Sequence, residues 1–314
     1  MRILISALLV SALSAMPGRA EAPSCFDFEH VESALAYFDS GDEQILTEIS
    51  ESRATQHLLA HSERTGYYPA GTTGLELTRA LLAEPEEWST AKVKMLTSYL
   101  HTNADRQTAC LAEAKQYLPD GVEMADRLHL TWGYDIGVAM DGSASLNLAH
   151  NHFLEDPEEV WFFCIHEMHH AGVMSLHPMG RISGIATTQK LFEFLRYSTF
   201  LEGTATYAAY DARAEANALG KDRDYVALAD EIGMDRYRAE YFDTYKRMES
   251  APDRPLRQSD WQAIENFSDG HRLWYRVGAE MAATIDDHLG RERLKEIISE
   301  GPSEFFRAYF ALTH

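Results

Sequence analysis

Basic side chains are scarce: 28 Lys and Arg stand against 49 Asp and Glu, a formal net charge of −21. Such a chain repels phosphate backbones and anionic headgroups, which argues against nucleic acid and membrane-surface partners. Cysteine is scarcer still. Cys25, Cys110 and Cys164 are the whole complement and no C-x-x-C spacing occurs, so a thiolate zinc cluster is excluded. Internal repeats, low-complexity tracts and glycine-rich loops of the phosphate-cradling kind are missing too. Beyond Met16 no apolar run approaches the roughly 20 residues that span hydrocarbon, so no stable membrane insertion of the mature chain is expected.

What is present begins with a leader. Met1-Arg2 precedes an apolar run from Ile3 to Met16, then Pro17-Gly18-Arg19 and the small-residue stretch Ala20-Glu21-Ala22. A positive start, a short apolar stretch and an A-x-A exit predict a signal peptide over 1–22, cut after Ala22 or Ala20. An exported protein, periplasmic or extracellular in a bacterium, follows from that reading. Export permits a disulfide. Cys25 with Cys110 is the expected pair, because Cys164 sits in an apolar helix; three unpaired thiols are the alternative.

Two regions follow, divided at Pro119-Asp120-Gly121. Residues 23–120 read as helical, with Val31, Leu35 and Phe38, then Ile45 and Ile49, recurring at three- and four-residue steps. In 121–314 the texture first changes to short apolar runs, Leu128 to Trp132 and Ile136 to Met140, closed by Asp141-Gly142 and followed by alternation from Ser143 to His150. Asp-Gly between such runs predicts a hairpin in a small antiparallel sheet. From Pro157 onward the pattern is helical again, with Gly172 as a helix stop and one long or two abutting helices over 187–218. The fold class is mainly α (α+β).

The decisive segment is Ile165-His166-Glu167-Met168-His169-His170. At 3.6 residues per turn, His166 and His170 lie about 40° apart on one helix face, so both imidazoles reach one ion. Glu167 is then placed as a general base on a metal-activated water, which is the chemistry of H-E-x-x-H. A chance match is expected roughly 0.05 times in a chain with this histidine content, and the apolar turn before it buries the helix. Two histidines plus a carboxylate suit one Zn2+ per chain. The third ligand has two candidates, Glu202 in Phe200-Leu201-Glu202-Gly203-Thr204-Ala205-Thr206-Tyr207, and His177 in a loop. The longer pattern H-E-x-x-H-x-x-G-x-x-H fails by register, since Val173 and Leu176 stand at its glycine and third histidine.

H-E-x-x-H followed by Glu-Gly-x-Ala-x-Tyr resembles the gluzincins, the superfamily of thermolysin and the zinc aminopeptidases, over about residues 128–218. The 31 residues between His170 and Glu202 exceed the spacing of the best-known gluzincins. The resemblance implies a zincin-like fold: a small sheet, the H-E-x-x-H helix and a downstream Glu helix, packed with helical regions on both sides. It implies a peptidase with Glu202 as third ligand and an oxyanion-stabilising Tyr or His from downstream. His271 and Tyr275, a turn apart after Asp269-Gly270, are the candidates, with Tyr207 in reserve. It also makes Ser143 to His150 an edge strand lining the cleft, with Asn147 beside a peptide or protein substrate. The plan, with Tyr275-Arg276-Val277-Gly278-Ala279-Glu280-Met281-Ala282 near the end, further resembles bacterial secreted zinc-dependent peptidases of unknown substrate. His169 is assigned to the flank of the metal face, while His150, His152 and the Trp161-Phe162-Phe163 run are assigned to structure. A catalytically silent, zincin-like binding protein with a structural metal is the competing reading. No signal of oligomeric state is present.

Overall fold

The computed structural model describes residues 24–83 and 87–313, without the side chains of 87 and 88; the expected signal peptide lies outside them. The chain is 70% helical with one small four-stranded mixed sheet, the mainly α (α+β) class expected from its pattern. Strand β1 (Phe26–Asp27) leads into α1 (Glu29–Ser40), α2 (Glu43–Glu51), α3 (Arg53–Thr65), α4 (Gly74–Leu81), α5 (Glu87–His101) and α6 (Ala104–Gln116). Short polar side chains start several of them. Asp42 and Ser52 accept from backbone N–H groups of α2 and α3, and Thr73 with Glu76 forms a reciprocal capping box on α4.

The sheet continues with β2 (Leu128–Thr131), β3 (Gly137–Met140) and β4 (Ser143–Asn147), in the order β1-β2-β4-β3. The predicted hairpin is there: β3 and β4 are antiparallel, and Asp141 and Gly142 both take positive φ, as a tight primed turn requires. The sheet as a whole is mixed, not antiparallel, because β4 pairs parallel with β2 and β1 pairs parallel with β2. Ser143 to Asn147 is therefore an interior strand, and the edge belongs to β3.

Then come α7 (Asn151–Glu155), α8 (Glu159–Leu176), α9 (Thr188–Ala208), α10 (Tyr210–Glu215), α11 (Arg223–Leu228), α12 (Glu231–Glu249), α13 (Gln258–Ser268), α14 (Leu273–Leu289), α15 (Arg291–Glu300) and α16 (Pro302–Thr313). Helix α8 carries H-E-x-x-H and is apolar on nearly all sides, the mark of a central helix. It packs against α6, α9, β3 and β4. Gly172 does not end it: the helix runs on to Leu176, and the glycine admits Leu118, whose Cδ1 would lie 2.3 Å from an added Cβ. Helices α9 and α14 make the most extensive helix contact. An added Cβ on Gly203 would stand 2.3 Å from the Gly278 carbonyl carbon, so the two backbones touch where both motifs carry glycine.

One hydrophobic cluster runs from Phe26 through α8 to Tyr309, joining residues from both expected regions. The disulfide corrects the expected pairing. Cys110 on α6 bonds to Cys164 on α8, with Cα atoms 6.0 Å apart, and Cys25 is free. The apolar surroundings of Cys164 come from α6 lying on it, and that same packing brings Cys110 to it. No helix among the described residues is long and apolar enough to cross a membrane.

Candidate metal centre

His166 and His170 project from one face of α8 toward Glu202 on α9. Their rings lie 4.4 Å apart at near right angles. Glu202 Oε2 is 3.4 Å from His166 Nε2 and 3.0 Å from His170 Nε2, and the donor atoms of all three lie within 4.8 Å of one another. Donors sharing a tetrahedral zinc at bonds of about 2.0–2.1 Å stand about 3.3 Å apart. The observed spacing fits that ion, and the donor types suit it. Electrostatically the trio is already a countercharge pair. Burial opposes ionisation of all three, yet the Glu202 carboxylate holds His170 above its ordinary pKa, and His170 and His166 hold Glu202 well below the carboxylate range. Burial, with the charge on His170, lowers His166 to about 4. His177, the other sequence candidate, is not in this group. It caps the C-terminal end of α8 and hydrogen-bonds to the Ile298 carbonyl at 2.8 Å.

A second trio, His152, Glu159 and Asp222, has similar donor spacing. Both Glu159 oxygens there accept from the buried Arg213 guanidinium, at 2.9 and 2.6 Å. The site's charge is thus already balanced by an arginine.

Glu167 lies against the sheet edge at β3. It is buried, and burial pushes its carboxyl up to about 8. Gly137, the first residue of β3, lies against it: an added Cβ would be 2.6 Å from Glu167 Oε1. Tyr275 on α14 also reaches the centre, its ring nearly parallel to that of His166 with centroids 6.3 Å apart. Burial and the nearby Glu202 hold its phenol well above the ordinary range, so it stays protonated.

The other expected site residues do not converge. His271 bonds Glu240 on α12 at 2.7 Å and stands beside Tyr237. Tyr207 donates to Asp286 at 2.8 Å. Asn147 is spent on the backbone, accepting from Gly133 and Ala149 N–H groups at 2.8 and 3.0 Å. It holds the loop entering β3, with Nδ2 reaching the Tyr134 carbonyl at 3.5 Å. His169 is fully buried in α8 and kept neutral by burial.

The trio, Glu167 and Tyr275 open onto one cleft of about 750 Å³. One side is the β3 edge, Asp135 to Ala139; another is α3, through His61 and Thr65; α9 contributes Phe194, Ser198 and Leu201. The fourth side holds Arg272, which precedes α14 in a left-handed conformation (φ 50°). Its Nε donates to Asp224 Oδ2 at 2.6 Å, and its guanidinium lies 3.5 Å from the Tyr275 ring centroid. Gly137 and Asp224 escape sequence reasoning: each lies far along the chain from Glu167 and Arg272, which they touch. Arg272, three residues before Tyr275, is the one with a readable local signal.

No curated protein and no solved structure matches the chain. A family profile does, over residues 91–313, which include α8, Glu202 and Tyr275. The chain belongs to that family, whose description reads "Putative zinc dependent peptidase (DUF5700)".

Proposed function

We propose that this protein is a gluzincin-type peptidase with His166, His170 and Glu202 as the zinc ligands and Glu167 as general base. The observation that carries this is the convergence of three suitably spaced donors beside a buried carboxyl with no hydrogen-bond partner among the described residues, all lining one open cleft. Three protein ligands leave a fourth position free, the arrangement of catalytic zinc. Zinc, when bound, supplies a Lewis acid that lowers the pKa of a water toward neutrality and polarises a carbonyl. With zinc bound, Glu167 would take the proton given up by the activated water and pass it to the leaving amine. Tyr275, held protonated, donates its hydroxyl hydrogen toward the oxygen on which charge develops. Strand β3 ends the sheet among the described residues and lines the cleft, the place at which an extended peptide would add as a further strand.

Export fits the same reading. The leader-like residues 1–22 and the Cys110–Cys164 bridge, a bond favoured in oxidising compartments, both support it.

The test is a pair of variants with two readouts. His166→Ala should lose stoichiometric zinc. Glu167→Gln should keep zinc yet lose hydrolysis of quenched peptides by at least about 100-fold. Hydrolysis by Glu167→Gln at the wild-type rate would remove the base from this scheme. Zinc bound by a wild-type protein that cleaves no peptide in a broad panel would favour the silent binding protein.

A further inference from the structure

The α14 side of the cleft holds more positive charge than its structure needs. Asp224 is buried, and its two oxygens accept from two arginines: Oδ1 from Arg276 Nε at 2.9 Å and Oδ2 from Arg272 Nε at 2.6 Å. Arg276 is buried as well, so that pair alone ties α11 to α14 and balances the carboxylate. Arg272 adds a second cation to an acid already matched. Desolvating such a cation is unfavourable unless another negative group meets it. The other carboxylate in its field, Glu202, stands with His166 and His170. The left-handed backbone at Arg272 is itself unfavourable for a residue with a Cβ, and such conformations persist where the position serves a site.

The terminal nitrogens of Arg272 are hardly used. Nη1 has only a long 3.4 Å contact to the Ser268 carbonyl, and Nη2 has no hydrogen-bond partner among the described residues. Arg223, beside Asp224 on α11, is exposed, lines the same cleft and makes no ion pair among the described residues. Trp274, also in the lining, is buried with an Nε1 that has no hydrogen-bond partner. Two acids, Asp222 and Asp269, share this rim; Asp269 is exposed to solvent. The uncommitted donors therefore gather on one wall of a chain whose formal charge is −21.

Distance relates this wall to the candidate centre. The Tyr275 ring neighbours the His166 imidazole at 6.3 Å and the Arg272 guanidinium at 3.5 Å. Consecutive Cα atoms of a peptide are about 3.8 Å apart, so a group held by Arg272 belongs to a residue close to the bond over the donors. A planar guanidinium anchored through Nε presents its remaining fork to a carboxylate. We propose that Arg272, assisted by Arg223, receives a carboxylate of the substrate within about two residues of the scissile bond, making the cleft selective for peptides with a free C-terminus or an acidic side chain there. This rests on the peptidase reading above.

The test measures binding and cleavage separately. A dansyl-labelled Ala-Ala-Phe-Ala peptide is prepared as the free acid, as the C-terminal amide, and as an amide with Glu replacing the last Ala. Zinc-loaded Glu167→Gln protein should bind the free acid or the Glu-containing amide about ten- to hundred-fold more tightly than the neutral amide. Whichever of the two is favoured identifies the source of the carboxylate. Adding Arg272→Gln should erase the preference, and Arg272→Lys should restore part of it. Should Arg272→Gln fail to fold, Arg223→Gln and the acid-to-amide ratio of the parent protein decide. Equal binding of acid and neutral amides overturns the assignment. Cleavage by zinc-loaded wild type is scored on the same peptides. No cleavage with the preference intact sinks the peptidase reading alone, and equal cleavage with equal binding sinks the carboxylate site alone.

Discussion

Gly137 and Glu167 approach so closely that a single methyl group on the glycine would lie 2.6 Å from the Glu167 Oε1. The glycine does not have a positive φ, so alanine is acceptable to the backbone at 137. The three nearest atoms to such a Cβ all belong to Glu167: Oε1 at 2.6 Å, and Cδ and Cγ at 2.8 Å. Gly137→Ala should therefore fold normally and lower kcat by about 10–100-fold, the scale of a displacement of roughly 1 Å at a reacting group. Steady-state kinetics with far-UV circular dichroism checks it; unchanged kcat would mean that Glu167 is free to move aside without consequence.

The touching backbones of α9 and α14 make a second prediction. Gly203→Ala must push against Gly278, and Gly278→Ala would put a Cβ 2.5 Å from the Thr199 carbonyl oxygen. Overpacking of this kind costs about 1–3 kcal/mol. Because Glu202 and Tyr275 flank this crossing, either change should also weaken zinc binding, whereas an unrelated destabilising change would not. Urea midpoints and zinc titration together make the comparison.

The Cys110–Cys164 bridge closes a loop of sequence separation 54. The chain-entropy estimate for such a loop is about 4 kcal/mol. Thiol titration of unreduced, denatured protein should count one thiol, from Cys25, and reduced protein three. Cys110→Ala/Cys164→Ala should lower the urea midpoint markedly, while Cys25→Ala should leave it unchanged.

Acid should destabilise the fold through two buried histidines. Burial lowers His30 to about 4 and His57 to about 3, from an ordinary 6.5. Between pH 6.5 and about 4 the unfolded chain takes up protons that the folded chain refuses, so stability falls as pH drops through that window and is undiminished above it. At pH 5 each costs about 2 kcal/mol at 1.36 kcal/mol per unit. Urea melts at pH 7.5 and 5 should differ accordingly, and His57→Gln should flatten the difference. Identical midpoints would show that neither imidazole resists protonation.

Local periodicity made much of this legible. Helical spacing predicted α8 and its paired imidazoles, Asp141-Gly142 predicted the β3–β4 turn, and the Glu-Gly motif led to Glu202, which the fold brings to His166 and His170. What failed depended on partners distant in sequence. A hairpin does not reveal which of its strands pairs outward, and the edge expected at Ser143 to His150 lies at β3 instead. His271 and Tyr275 would share a face if the helix began before them. It begins at Leu273, after the left-handed turn at Arg272, and His271 is thrown toward Glu240. The cysteine pairing failed likewise, since an apolar helix gives no sign of what lies upon it.

The α3 wall has a bearing on kinship. His61 and Thr65 line the cleft but precede residue 91, where the family-wide segment starts. The matched segment thus holds the proposed zinc ligands and Glu167, while part of the rim is supplied from ahead of it. On the proposed reading, substitutions at His61 and Thr65 would alter what enters the cleft while leaving the proposed zinc ligands in place.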